Sequence, residues 1–61
     1  MELKELLEKS RNENKGITLY VNGITIGALV TNVGEEFVEG KSREFGRIVI
    51  RLDRIDGAAM L

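Results

Sequence analysis

The stretch LYVNGITIG, residues 19–27, decides the fold. Asn22-Gly23 stands between two runs rich in β-branched and apolar residues. Both residues tolerate the positive φ that a two-residue type I′ hairpin turn demands. Such a turn fixes the register: Val21 faces Ile24, Tyr20 faces Thr25 and Leu19 faces Ile26. A period of two then puts Ile17, Leu19 and Val21 on one face of the first strand, with Thr18 and Tyr20 on the other.

Towards the N-terminus the period changes. In ELKELLEKSRNEN, Leu3, Leu6 and Leu7 follow the i, i+3, i+4 spacing of an amphipathic helix, and Glu2 and Glu5 lie where the helix dipole favours acidic groups. The spacing predicts a helix over about 2–13, with Gly16 as its stop and an apolar stripe that ends at Leu7. So little apolar surface cannot hold about three turns of helix in water, so the helix must lie on the sheet.

Towards the C-terminus, Gly27 interrupts the second strand, where a glycine predicts the bulge or sharp bend that curls a small sheet into a barrel. VGEEFVEG reads as a turn into a third strand and KSREFG as a polar connection. RIVIRL reads as a fourth strand with Ile48, Ile50 and Leu52 inward, and DRIDGAAML as a last extended piece. The reading is a single domain, a helix followed by about five strands between residues 17 and 61. The final GAAML lacks the Lys or Pro that blunts an exposed sheet edge, and pairing of that edge with another copy would close copies into a ring.

Bulk composition points the same way. A chain of 61 residues hides only about 60% of its unfolded surface. Below about 70–80 residues a core is usually reinforced by disulfides, a metal or a partner. There is no Cys and no His, which leaves oligomerisation. Nine basic against ten acidic side chains give a net charge of -1, so a nucleic-acid site has to be local rather than a property of the whole surface. The start MELKELLEKSRNE has no apolar core flanked by a cleavage site, and no apolar run approaches the ~20 residues of a membrane span. With the missing Cys, the expectation is a soluble cytoplasmic protein without membrane contact.

A helix followed by a strongly bent five-stranded barrel resembles the Sm-like (LSm) family. SRNENKGITLYVNGITIG is similar to the start of its bacterial RNA-chaperone branch, Hfq, through Arg11, Glu13, Tyr20, Asn22, Gly23, Ile24 and Gly27. Here the hairpin is one residue shorter between Tyr20 and Asn22 and one shorter between Ile26 and Gly27. The likeness is close over residues 3–30 and looser beyond. IVIRLDRI resembles the second Sm motif, with Leu52 where that motif has Gly. VGEEFVEG occupies the place of the first, with Glu35 and Glu36 where the family holds neutral or aromatic groups. The Lys-His pair of the Hfq uridine face is absent.

The resemblance implies an N-terminal helix and a small Sm-like (SH3-like) β-barrel, in a homo-oligomeric ring of about five to seven subunits closed by heterologous contacts, binding single-stranded RNA. On the hairpin face the candidate contacts are Tyr20, Asn22, Gly23, Ile24 and Thr25, with bases stacking on the Tyr. On the pore side they are Asn32, Phe37, Arg51 and Arg54, since a guanidinium can stack on a base and contact phosphate. Ordinary ion pairs of those arginines with Glu35, Glu36, Asp53 or Asp56 are the competing reading. The other basic residues, Lys9, Arg11, Lys15, Lys41, Arg43 and Arg47, alternate with acidic ones and read as solvated surface. No cofactor is expected and no enzyme, because there is no His, no Cys, no phosphate-cradling glycine loop before a helix and no metal-ligand spacing. The alternative to RNA binding is a structural or protein-interaction ring with the same fold.

Overall fold

The computed structural model describes residues 2–60. Helix α1 (Glu2–Glu13) is followed by strands β1 (Gly16–Val21), β2 (Ile24–Val33), β3 (Phe37–Ser42) and β4 (Gly46–Arg51), a 3-10 turn (Leu52–Arg54) and strand β5 (Ile55–Ala59). The strands form one antiparallel sheet in the order β4-β3-β2-β1-β5. It is not closed into a barrel: β4 and β5 are its two edges, and they do not pair with each other. No helix among the described residues is long and apolar enough to cross a membrane.

The hairpin has the predicted register, with Leu19 opposite Ile26, Tyr20 opposite Thr25 and Val21 opposite Ile24. Asn22 and Gly23 take φ of 48° and 84°, as a type I′ turn requires. One face of the sheet carries the buried core, in which Ile17, Leu19, Ile26, Ala28, Val30, Val38 and Ile55 meet Leu7 of the helix. Ile48 and Ile50 of β4 are half-buried against it, as expected for an inward-facing pair at an edge. Leu52 also packs there but from the 3-10 turn, because β4 ends at Arg51 and the Leu52 N–H bonds to the Glu36 carbonyl at 2.8 Å.

Helix α1 lies chiefly over β2, with lighter contacts to β1 and β5. Its packed stripe is longer than its leucines: the next position on the same face, Ser10, is fully buried. The Ser10 hydroxyl donates to the Lys15 carbonyl and accepts the Val30 N–H at 3.3 Å, tying the helix end to the sheet. The helix stops at Asn14 rather than Gly16. Asn14 takes φ of 56°, and the Lys15 N–H returns to the Ser10 carbonyl at 3.0 Å. That is the 6→1 bond of a Schellman ending, with Asn in place of the usual glycine. Gly16 simply begins β1.

The bend in β2 also falls elsewhere than predicted. Gly27 pairs regularly with Thr18, and the ladder to β3 slips only between Val30 and Asn32, leaving Thr31 as the extra residue of a bulge. Gly40 lies opposite Val30, where a Cβ would stand 2.7 Å from the Leu29 carbonyl oxygen. The close approach of β2 and β3 at the bulge therefore depends on glycine at position 40.

Candidate functional site

The candidate hairpin residues lie together at one end of the sheet. Tyr20 and Thr25 are cross-strand partners, and Gly57 of β5 stands on the other side of Tyr20. All three belong to the face opposite the core, and a Cβ at Gly57 would lie 3.7 Å from Tyr20 Cδ2. The next row along the same face is Gly27, Thr18 and Ala59. Tyr20, 44% exposed, thus rises as the one aromatic ring above a floor of small residues. Ile24 shares the parity of Leu19 and Ile26 but sits at the strand end beside the turn, beyond the cover of the core, and is exposed.

The turn itself is engaged. The β1–β5 ladder shifts between Tyr20 and Val21, so that Asp56 is displaced from the register and its Oδ2 accepts the Asn22 N–H at 3.0 Å. A carboxylate therefore stands at the tip of the candidate surface.

The four pore-side candidates are only partly brought together. Phe37 and Arg51 are directly opposed across β3 and β4, and Asn32 with Glu39 and Val49 forms the adjacent row on the same face. Asn32 Nδ2 donates to Glu39 Oε2 at 3.1 Å. Arg51 Nη2 is 3.0 Å from Asp53 Oδ2, an exposed ion pair with both groups in water, of the kind that contributes little to stability. Glu35, Glu36, Leu3, Leu52 and Arg51 help line a groove of about 610 Å³ between the start of α1 and the 3-10 turn. Arg54 is exposed on that turn, outside the Asn32, Phe37 and Arg51 rows. The expected neutralisation of Arg51 by Asp53 is present, whereas Asp56 serves the hairpin turn.

Two features escaped the sequence reading. One is the bond from the Asn22 N–H to Asp56, which spans 34 positions and has no local signature. The other is a groove of about 580 Å³ on the same outer face as Tyr20, bordered by Thr18, Gly27, Leu29, Lys41 and Arg43. It exists only because β2 sets Gly27 and Leu29 beside the end of β3. The described residues hold no group of three or more His, Cys, Asp or Glu placed to bind a metal ion. Comparison with protein-family models, with curated proteins and with solved structures finds no match to this chain.

Proposed function

We propose that this chain is the subunit of an Sm-like ring that binds single-stranded RNA on its hairpin face. The observation that carries the reading is the exposed Tyr20, whose ring lies against Gly57 on a face where the next row is Thr18, Gly27 and Ala59. A half-exposed aromatic over a floor without bulk leaves room for a base to stack, and stacking is the sequence-tolerant way of holding an unpaired strand. The strand layout supports the assembly half of the proposal. Both sheet edges are open, β4 exposes Val49 at 58%, and the inward side chains Ile48, Ile50, Ala58 and Met60 along the two edges are covered only in part. Pairing β4 of one copy with β5 of the next would cover these side chains and leave neither edge open.

One set of contacts favours the rival reading, a protein-interaction ring without RNA. The Asn22 N–H, the Asn32 amide and the Arg51 guanidinium are each met by a carboxylate, from Asp56, Glu39 and Asp53. A phosphate approaching either candidate surface meets negative charge first.

Two measurements decide. Native mass spectrometry is expected to give a discrete oligomer of several copies; a uniform monomer at micromolar concentration would remove the ring. Fluorescence anisotropy with short A-rich and U-rich RNAs is expected to show binding at low salt. Tyr20→Ala should then weaken it by roughly 5- to 150-fold, the equivalent of the ~1–3 kcal/mol of one stacked base. If Arg51→Ala is the damaging change and Tyr20→Ala is silent, the contact moves to the pore side. Flat curves for the unmodified protein leave the protein-interaction ring.

A further inference from the structure

The β3–β4 hairpin carries an electrostatic arrangement that the fold alone does not explain. Lys41 and Arg47 are direct cross-strand partners, and like charges directly opposed on an antiparallel pair destabilise it. Both point to the face that carries Tyr20: Tyr20 lies opposite Thr25, Gly27 and Leu29 follow Thr25 at every second position of β2, and Leu29 lies opposite Lys41. Arg43, in the turn just beyond, borders the same groove as Lys41. None of the three takes part in an ion pair among the described residues, where only Lys15–Glu13 and Arg51–Asp53 are joined. Of the nearest carboxylates, Glu39 stands two positions from Lys41 on the same face of β3 and accepts a hydrogen bond from Asn32, and Glu44 borders the groove. Three cations against the two anions Glu39 and Glu44 leave a local positive excess on a chain of net charge -1.

The floor of the groove adds an independent observation. Gly27 sits in regular register opposite Thr18, is exposed, and has no atom within 4 Å of the position a Cβ would take. It forms no turn and makes no close strand approach, so nothing within the chain requires glycine there, and glycine weakens a strand interior. What its absent side chain does leave is bare backbone between Tyr20 and Lys41, open to whatever lies along the face.

We infer that Lys41, Arg47 and Arg43 bind the phosphodiester backbone of the same strand whose base stacks on Tyr20, with Gly27 as the floor between the two ends of the track. The inference rests on the RNA reading of the hairpin face and extends it to the opposite end of that face. The combination of one aromatic platform with a line of unpaired cations fits single-stranded nucleic acid. The opposed Lys41 and Arg47 charges, unfavourable in the free protein, become favourable once phosphates lie between them.

The salt dependence of RNA binding tests this. In anisotropy titrations of an A-rich oligoribonucleotide across a salt series, Lys41→Ser/Arg47→Ser should weaken binding and flatten the slope of log K against log salt by roughly 1.4, at ~0.7 per lost phosphate contact. Tyr20→Ala should weaken binding with the slope unchanged. Gly27→Thr, whose Cβ would have no atom within 4 Å in the folded chain, should also weaken binding at constant slope. Circular dichroism should show the double variant folded and melting no lower than the parent, because a repulsive pair has been removed. An unchanged slope in the double variant, with Tyr20→Ala still damaging, overturns the phosphate track and leaves the hairpin reading standing. Should the parent bind no RNA, the hairpin reading fails, and amide NMR with sodium tripolyphosphate then decides the patch on its own. Shifts confined to Gly27, Lys41, Arg43 and Arg47 support an anion site there, and their absence overturns it.

Discussion

Leu7→Ala is expected to remove a large share of the stability of the fold. Leu7 is the one apolar side chain of α1 that is wholly buried, and Leu3 and Leu6 are only partly covered. Removing a buried leucine costs about 2–5 kcal/mol, according to how far the site collapses. At ~0.05–0.15 kcal/mol per residue, a chain of this size has a total stability on the order of 3–9 kcal/mol, so one substitution removes a large share of it. Urea unfolding followed by circular dichroism should show the midpoint falling sharply with little change in slope, whereas Leu3→Ala should lower it much less. Equal effects of the two variants would mean that the helix is held by its end, through Ser10, rather than by its apolar stripe.

Gly40→Ala is expected to be nearly as damaging, for a different reason. Its new Cβ would stand 2.7 Å from the Leu29 carbonyl oxygen and 3.5 Å from Val30 Cα. These are backbone atoms of a paired strand and cannot rotate away. Overpacking costs about 1–3 kcal/mol where side chains can adjust, and here the ladder beside the Thr31 bulge has to open. Gly27→Ala, one strand pairing away, is the control. With free space around it and no unusual φ, it should be neutral or stabilising by up to about 1 kcal/mol. Thermal melts of the two variants check the contrast, and similar melting temperatures would show that β2 and β3 can separate without loss.

That contrast also measures what the sequence could reveal. The hairpin register was legible because positive φ at Asn22 and Gly23 and strict alternation on both sides are local properties. The helix span, residues 2–13, was legible for the same reason. The role of a glycine was not: Gly27 lies within the apolar ITIGALV and Gly40 between Glu39 and Lys41, and only the neighbouring strand shows that the second is the close approach. Ser10 falls on the stripe of Leu3, Leu6 and Leu7 and is fully buried, but a pattern of apolar spacing passes over a polar residue. The left-handed residue that ends the helix is Asn14 rather than Gly16, since asparagine tolerates positive φ as glycine does. Among the candidate contacts, the Arg51–Asp53 pair was readable at a separation of two residues. The Asp56–Asn22 bond and the opposed Lys41 and Arg47 exist only in the folded register, where no local pattern announces them.

The sheet topology bears on how the chain assembles in time. Three of its four strand pairings join consecutive strands, each closed by a short turn, and the pairing of β5 with β1 is the exception. A meander from β1 to β4 needs only local loop closure, whereas β5 has to return across all of it and bear the greatest closure entropy. Strand β5 is thus the natural last arrival in folding and the first segment to open in the native state. Its Asp56 bond to Asn22 ties this late step to the β1–β2 turn. If the sheet edges join copies as proposed, the least secured strand of one subunit is held by its neighbour, and the finished fold becomes a property of the assembly.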